Sequence, residues 1–373
     1  MIYLDNAATT KPSESAVKAM IRAAETFGNP SSLHGLGLEA EKLIESARKT
    51  IAAKLGVDAK GILFTSGGTE ANNTAIFGVA RAKKKIGTRV ITSKTEHPSV
   101  LEAFKQLEKE GFDVVYIGAT PDGRVDLTEL KTALTEDTTL VSIMHVNNET
   151  GVIQPISEIK SLIAENAPKA VMHCDCVQSF GKVDVRNLGA DLITISAHKI
   201  HGFKGTGALY VRDFRLIRPL LYGGEQQHEM RPGTENVGGI LAFAAAAEET
   251  DADNSYLISL RKRLMDKLSE LDNIKFNGSD EHNSGSILNV SFVGIKAEIL
   301  LHAAEAKGVY VSTGSACSSH KPQPSHVLTA MGLSQKEIGG AVRISLDQTT
   351  TADEIDEAAR ILAEETRNIR RYM

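Results

Sequence analysis

Short runs of apolar and β-branched residues alternate along this chain with longer stretches whose apolar positions recur at helical spacing. Residues 61–65, 89–92, 114–117, 140–144, 170–173, 192–195 and 207–211 read as strands, and residues 70–84 and 99–110 as helices. Strands separated by helices imply parallel pairing with helical crossovers, hence an α/β sheet covered on both faces. An Ala-rich helix over 241–249 and a long one over 256–271 follow. The rhythm then changes: a strand at 286–292, a helix at 296–307, a further strand pair and a closing helix at 352–370 describe a smaller α+β domain. The boundary falls near Asp253. The expected architecture is a large domain over 15–253 around a mostly parallel central sheet, and a small domain made of 1–14 with 254–373.

Composition narrows the classes. A chain of 373 residues suits two domains at roughly 100–200 residues each. A net charge of −5 argues against a protein built to bind nucleic acid or an anionic membrane surface. With 42% hydrophobic and 24% charged residues the chain is globular and not disordered. Three cysteines are too few for a disulfide scaffold, which points to a reducing compartment. The N-terminus lacks the basic-then-apolar pattern of a signal peptide, and the apolar stretch 241–247 is too short to span a bilayer. The expectation is a cytoplasmic protein without membrane contact.

Five places carry chemistry. Residues 65–73, with Gly67, Gly68 and Thr69, follow a strand and open a helix; this is either a plain turn or a phosphate cradle at a helix N-terminus. Asp175 stands where a strand ends, as a helix cap or as a partner for a cationic ring nitrogen. Cys174 and Cys176 flank it, but with His173 they fit no closed four-ligand zinc site, so no metal is expected. Lys199 lies among Ser196, His198, His201 and Gly202, as a surface amine or as one poised for a Schiff base. Cys317 is flanked by Gly, Ser and Ala, a loop context that favours a reactive thiol over a packed one. Arg343 sits in a strand-like run, either as an edge-strand solvating group or as a carboxylate clamp. Phosphate cradle, ring-nitrogen carboxylate and amine together point to pyridoxal phosphate (PLP).

These residues, with 3–10, 28–32, 95–98, 145–151 and 231–236, closely resemble the cysteine desulfurases of the class V aminotransferase group, PLP-dependent enzymes of fold type I. The resemblance runs from residue 3 to about 365. It implies that Lys199 carries the cofactor and removes the substrate α-proton, that Asp175 faces the ring nitrogen, that Gln178 bonds the phenolic oxygen, and that His97 stacks on the ring and moves protons. By the same resemblance Gly68, Thr69, Ser196 and His198 should hold the phosphate, and Thr234 should reach the phosphate of the partner subunit in a homodimer. Asn148 contributes to the cofactor site and, with Arg343, binds the substrate carboxylate. Cys317 accepts the sulfur of L-cysteine as a persulfide, L-alanine leaves, and the sulfur passes to an acceptor protein for iron–sulfur cluster assembly, or for tRNA or cofactor thiolation. Cys317 would then also ligate a cluster transiently on a scaffold partner. Alternative readings are a selenocysteine lyase, a class V transaminase, which has no need of the thiol, and a non-catalytic sulfur-transfer partner. Three departures stand out: Cys174 and Cys176 beside Asp175, read as packing residues; Phe203 where a proline is usual; and an end at Met373 without the longer tail that docks a scaffold in some members.

Overall fold

The structure, a computed structural model, describes residues 1–313 and 324–372; Cys317 lies outside the described residues. In chain order the strands are β1 (Ile2–Tyr3), β2 (Ile62–Thr65), β3 (Arg89–Ser93), β4 (Asp113–Ile117), β5 (Thr138–Met144), β6 (Val171–Asp175), β7 (Leu192–Ser196), β8 (Gly207–Val211), β9 (Ile274–Asn277), β10 (Ile287–Phe292), β11 (Val309–Tyr310) and β12 (Ala341–Ser345). Seven of them form the central sheet in the order β2-β8-β7-β6-β5-β3-β4. The pairs β3–β4, β3–β5, β5–β6 and β6–β7 are parallel.

The sheet is mostly parallel, as expected, and β8 is the exception: it runs antiparallel to both β7 and β2. The link 197–206 is shorter than the dozen or so residues a crossover needs, so the chain turns back. Two reversals leave β2 running the same way as β7. The C-terminal ends of β2, β3, β5, β6 and β7 therefore meet at one edge, where ligand sites of open α/β sheets gather.

Helices cover both faces. On one face, Ile91, Val141, Ile143, Ile193 and Ile195 pack with Ile44, Ile51, Ile156, Ile159 and Phe243. The helices there include Glu14–Glu25, Gly35–Leu55 and Ile156–Asn166, which strand-centred reading of the sequence had not placed. On the other face, Leu63, Val90, Leu140, Leu192 and Leu209 pack under Gly68–Lys83 and Pro98–Lys109. Pro98–Lys109 shows how local sequence sets an element. Val100, Ala103, Phe104 and Leu107 recur at helical spacing and are buried; Pro98 suits the first turn, and the His97 side chain caps it. A separate core gathers Leu4 with Leu257, Leu264, Val290, Val342, Ile355 and Leu362 around the antiparallel sheet β12-β10-β9. Leu4 joins that core because β1 pairs with β11 and Asp5 bridges to Ser345.

Candidate active site

A cavity of about 330 Å³ opens at the shared strand edge, within the usual range for small-ligand sites. Gly68, Thr69, His97, Asn148, Asp175, Gln178, Ser196, His198, Lys199 and Arg343 all line it. Thr234, expected at the phosphate of a partner subunit, is exposed and away from this cavity, and Cys317 lies outside the described residues.

One end is built to take an anion. Gly67, the cap residue of Gly68–Lys83, has φ 152°, a conformation that favours glycine, and brings no side chain to the helix end. The Gly68 and Thr69 N–H groups have no partner among the described residues. A Cβ on Gly68 would stand 2.9 Å from Val177 Cγ2, so glycine keeps the backbone close to β6 and β7. The Ser196 hydroxyl is buried and also has no partner among the described residues. His198 Nδ1 lies 3.2 Å from Thr9 Oγ1. Burial, reinforced by Lys199, Lys204 and Lys182, pushes the His198 imidazole down to about 4, so it is neutral at pH 7.

Asp175 ends β6, almost fully buried. Its Oδ1 accepts from the Val177 N–H at 2.9 Å and its Oδ2 from Asn72 Nδ2 at 2.7 Å. Asn72 Nδ2 also donates to Ser99 Oγ at 2.9 Å, and Ser99 Oγ sits 2.8 Å from His97 Nδ1. The Ser99 backbone N–H donates to the same nitrogen at 3.1 Å. A backbone N–H can only donate, so His97 Nδ1 is bare and its proton rests on Nε2. Burial lowers the His97 pKa, Asp175 opposes this and Lys199 adds to it. Asn72 and Ser99 were not assigned roles from sequence, although Asn72 lay inside a run already singled out.

Lys199 sits in the short turn after β7 and donates from Nζ to the Ala7 and Ala8 carbonyls, each at 2.7 Å. Gln178 Nε2 donates to the same Ala7 carbonyl at 2.9 Å. The N-terminal segment thus closes over the site. Arg343 is buried in β12: Nη2 lies 2.9 Å from Asp5 Oδ1, Nη1 donates to the Asn148 carbonyl at 3.0 Å, and Nε is buried without a partner among the described residues. Of the two readings open for Arg343, burial and its place in the cavity wall favour the clamp. Asn148 is held by its neighbour Asn147, whose Oδ1 accepts from the Glu149 and Thr150 N–H groups.

The neighbours of Asp175 behave differently. Cys174 and Cys176 are fully buried, with Sγ atoms 3.6 Å apart, in the core behind the strand. His173 spends both ring nitrogens across the sheet, on Ser142 Oγ and Thr194 Oγ1. Phe203 packs against the same core as the cysteines.

The donor set fits PLP: open helix N–H groups and an orphaned hydroxyl for phosphate, a carboxylate for the ring nitrogen and an amine for the carbonyl. The comparisons agree. The family profile described as aminotransferase class-V matches residues 2–358. Cysteine desulfurase IscS of Methanosarcina thermophila is 42% identical over 376 residues, covering 99% of this chain and 93% of that protein. A solved structure described as a NifS-like protein superposes with a TM-score of 0.92 at 37% identity, covering 98% of this chain and 99% of that one. Another, described as SspA in complex with cysteine, gives 0.82 at 34% identity, with 93% and 99% covered.

Proposed function

The chain belongs to the class-V aminotransferase family, and on that premise we infer that it is a PLP-dependent cysteine desulfurase, taking sulfur from L-cysteine and releasing L-alanine. One observation carries the reading: a single cavity brings unpartnered helix N–H groups, the buried Asp175 carboxylate, the Lys199 amine and the buried Arg343 within reach of one small molecule. When bound, PLP supplies the electron-withdrawing ring that such chemistry needs.

The chain's own residues divide the remaining work. Gly68, Thr69, Ser196 and His198 would hold the phosphate, and Asp175 would keep the ring nitrogen protonated. Gln178 would donate to the phenolic oxygen. His97 would cover the ring, offering a proton at Nε2. Arg343 and Asn148 would fix the substrate carboxylate, which orients the α-carbon toward Lys199. The Lys199 amine, held against the Ala7 and Ala8 carbonyls, would take the α-proton; two carbonyls beside it stabilise the ammonium so formed. Cys317 would receive the sulfur as a persulfide, from which an acceptor protein for iron–sulfur cluster assembly or thiolation collects it.

The same reading covers assembly and domains. Phe27, Leu33 and Tyr222 are more than three-quarters exposed, and Thr234 lies outside its own cavity. This supports a homodimer in which Thr234 serves the partner subunit's site. The core around β12-β10-β9, separate from those on the two faces of the central sheet, supports the division into 15–253 and 1–14 with 254–373. No helix among the described residues is long and apolar enough to cross a membrane.

The test is product analysis. Holoprotein given L-cysteine and a thiol reductant should release alanine and sulfide in equal amounts, and Lys199→Ala should release neither. Amino-group transfer to a 2-oxo acid, with no sulfide, overturns the reading.

A further inference from the structure

Lys182 is a buried amine to which the mechanism above gives no task. It is 7% exposed, and its Nζ makes one hydrogen bond among the described residues, to Gln178 Oε1 at 3.4 Å. The other end of that amide, Nε2, donates to the Ala7 carbonyl at 2.9 Å. An ammonium can only donate and a carbonyl can only accept. Together they fix which way round the Gln178 amide sits. The oxygen is turned toward Lys182, and the second Nε2 hydrogen is what the side chain has left for the cavity it lines. Lys182 itself does not line that cavity, so its hydrogen-bonded route to a bound molecule runs through Gln178.

We propose that Lys182 is a positioning residue that holds Gln178 as a hydrogen-bond donor toward the cofactor's phenolic oxygen. This rests on the reading that Gln178 meets that oxygen. Without Lys182 the amide can turn over and present its own oxygen, which repels a phenolate and makes it more basic. Among the described residues, Asp347 favours the ammonium form of Lys182 and Arg343 opposes it, His198 and His201 feel its charge, and Lys199 and Lys204 line the same neighbouring cavity. Burial brings the amine down to about 8, so the ammonium predominates at pH 7.

The experiment is a pH titration of the visible absorbance of substrate-free holoprotein for the wild type, Lys182→Met, Lys182→Arg, Gln178→Ala and the Lys182→Met/Gln178→Ala double variant. Lys182→Met should move the absorbance transition up by about 0.5–1 pH unit. Lys182→Arg should restore it toward the wild type, and Lys182→Met should add nothing in the Gln178→Ala background. Were Lys182→Met not to fold, Lys182→Leu, which also has no donor, takes its place with the same expected direction. An unmoved transition in Lys182→Met overturns the proposal. So does an equal shift with and without Gln178, which would mean that the charge acts through space. A wild type that binds no chromophore overturns the cofactor reading instead, and this inference with it.

Discussion

Asn72 and Asp175 are joined by a 2.7 Å hydrogen bond, and the same Asn72 nitrogen reaches Ser99, whose hydroxyl and N–H both meet His97 Nδ1. One amide therefore supports both the carboxylate assigned to the ring nitrogen and the imidazole assigned to its face. Hydrogen bonds to charged groups contribute about 1.5–3 kcal/mol. Asn72→Ala should then lower kcat by about 10–100-fold while the protein still binds cofactor. Steady-state kinetics together with cofactor content by absorbance checks this.

Arg343 is held from two sides, by Asp5 and by the Asn148 carbonyl, before any substrate arrives. Such a fixed guanidinium suits a carboxylate, and lysine cannot reproduce its fork. Arg343→Lys should raise KM for L-cysteine by about tenfold or more and change kcat less, as loss of ground-state binding does. A fall in kcat at unchanged KM would place the arginine in a different role.

Ser196 offers an unusually clean substitution, because its buried hydroxyl has no partner among the described residues. An unsatisfied buried polar group costs about 1–3 kcal/mol. Ser196→Ala should leave the apoprotein as stable as the wild type or more so, yet weaken PLP binding by about tenfold. Thermal unfolding of apoprotein and a cofactor titration together give both numbers.

Much of this site was legible in the sequence, because its residues stand at the ends of strand-like runs, where a parallel sheet collects ligands. Gly68, Asp175 and Lys199 each follow such a run. What sequence could not show was contact across distance. Nothing in 3–10 announces that the Ala7 and Ala8 carbonyls will meet Lys199, since backbone atoms carry no residue signature. Asn72 lies one helical turn into Gly68–Lys83, where an asparagine reads as a side chain turned to water until the fold buries it. The reversal of β8 was not legible because the run 207–211 reads as a strand in either direction, and the direction follows from the short link 197–206 that precedes it.

His201 and Asp347 tie the turn after β7 to the segment after β12, Nε2 to Oδ2 at 2.8 Å. Burial lowers the His201 pKa, but the hydrogen bond and charge of Asp347 outweigh it and the net shift is upward. Asp347 is brought down to about 2, the bond to His201 overcoming burial. A raised histidine gives stability that is whole below its unfolded pKa of about 6.5 and is lost as pH rises through the folded value. A depressed carboxylate gives stability that is whole above about 4 and is lost as pH falls toward 2. The pair is therefore strongest between about pH 4 and 6.5. His201→Gln should cost about 1 kcal/mol at pH 6 and clearly less at pH 9, read from thermal unfolding at the two pH values.

The central claim is that sulfur leaves L-cysteine for Cys317. Holoprotein incubated with sulfur-labelled L-cysteine without reductant, then alkylated and digested, tests it in one measurement. One labelled sulfur per chain is expected on the Cys317 peptide, released by dithiothreitol, with an equal amount of alanine, and no label in Cys317→Ser. Label on the peptide holding Cys174 and Cys176, or label undiminished in Cys317→Ser, would contradict it.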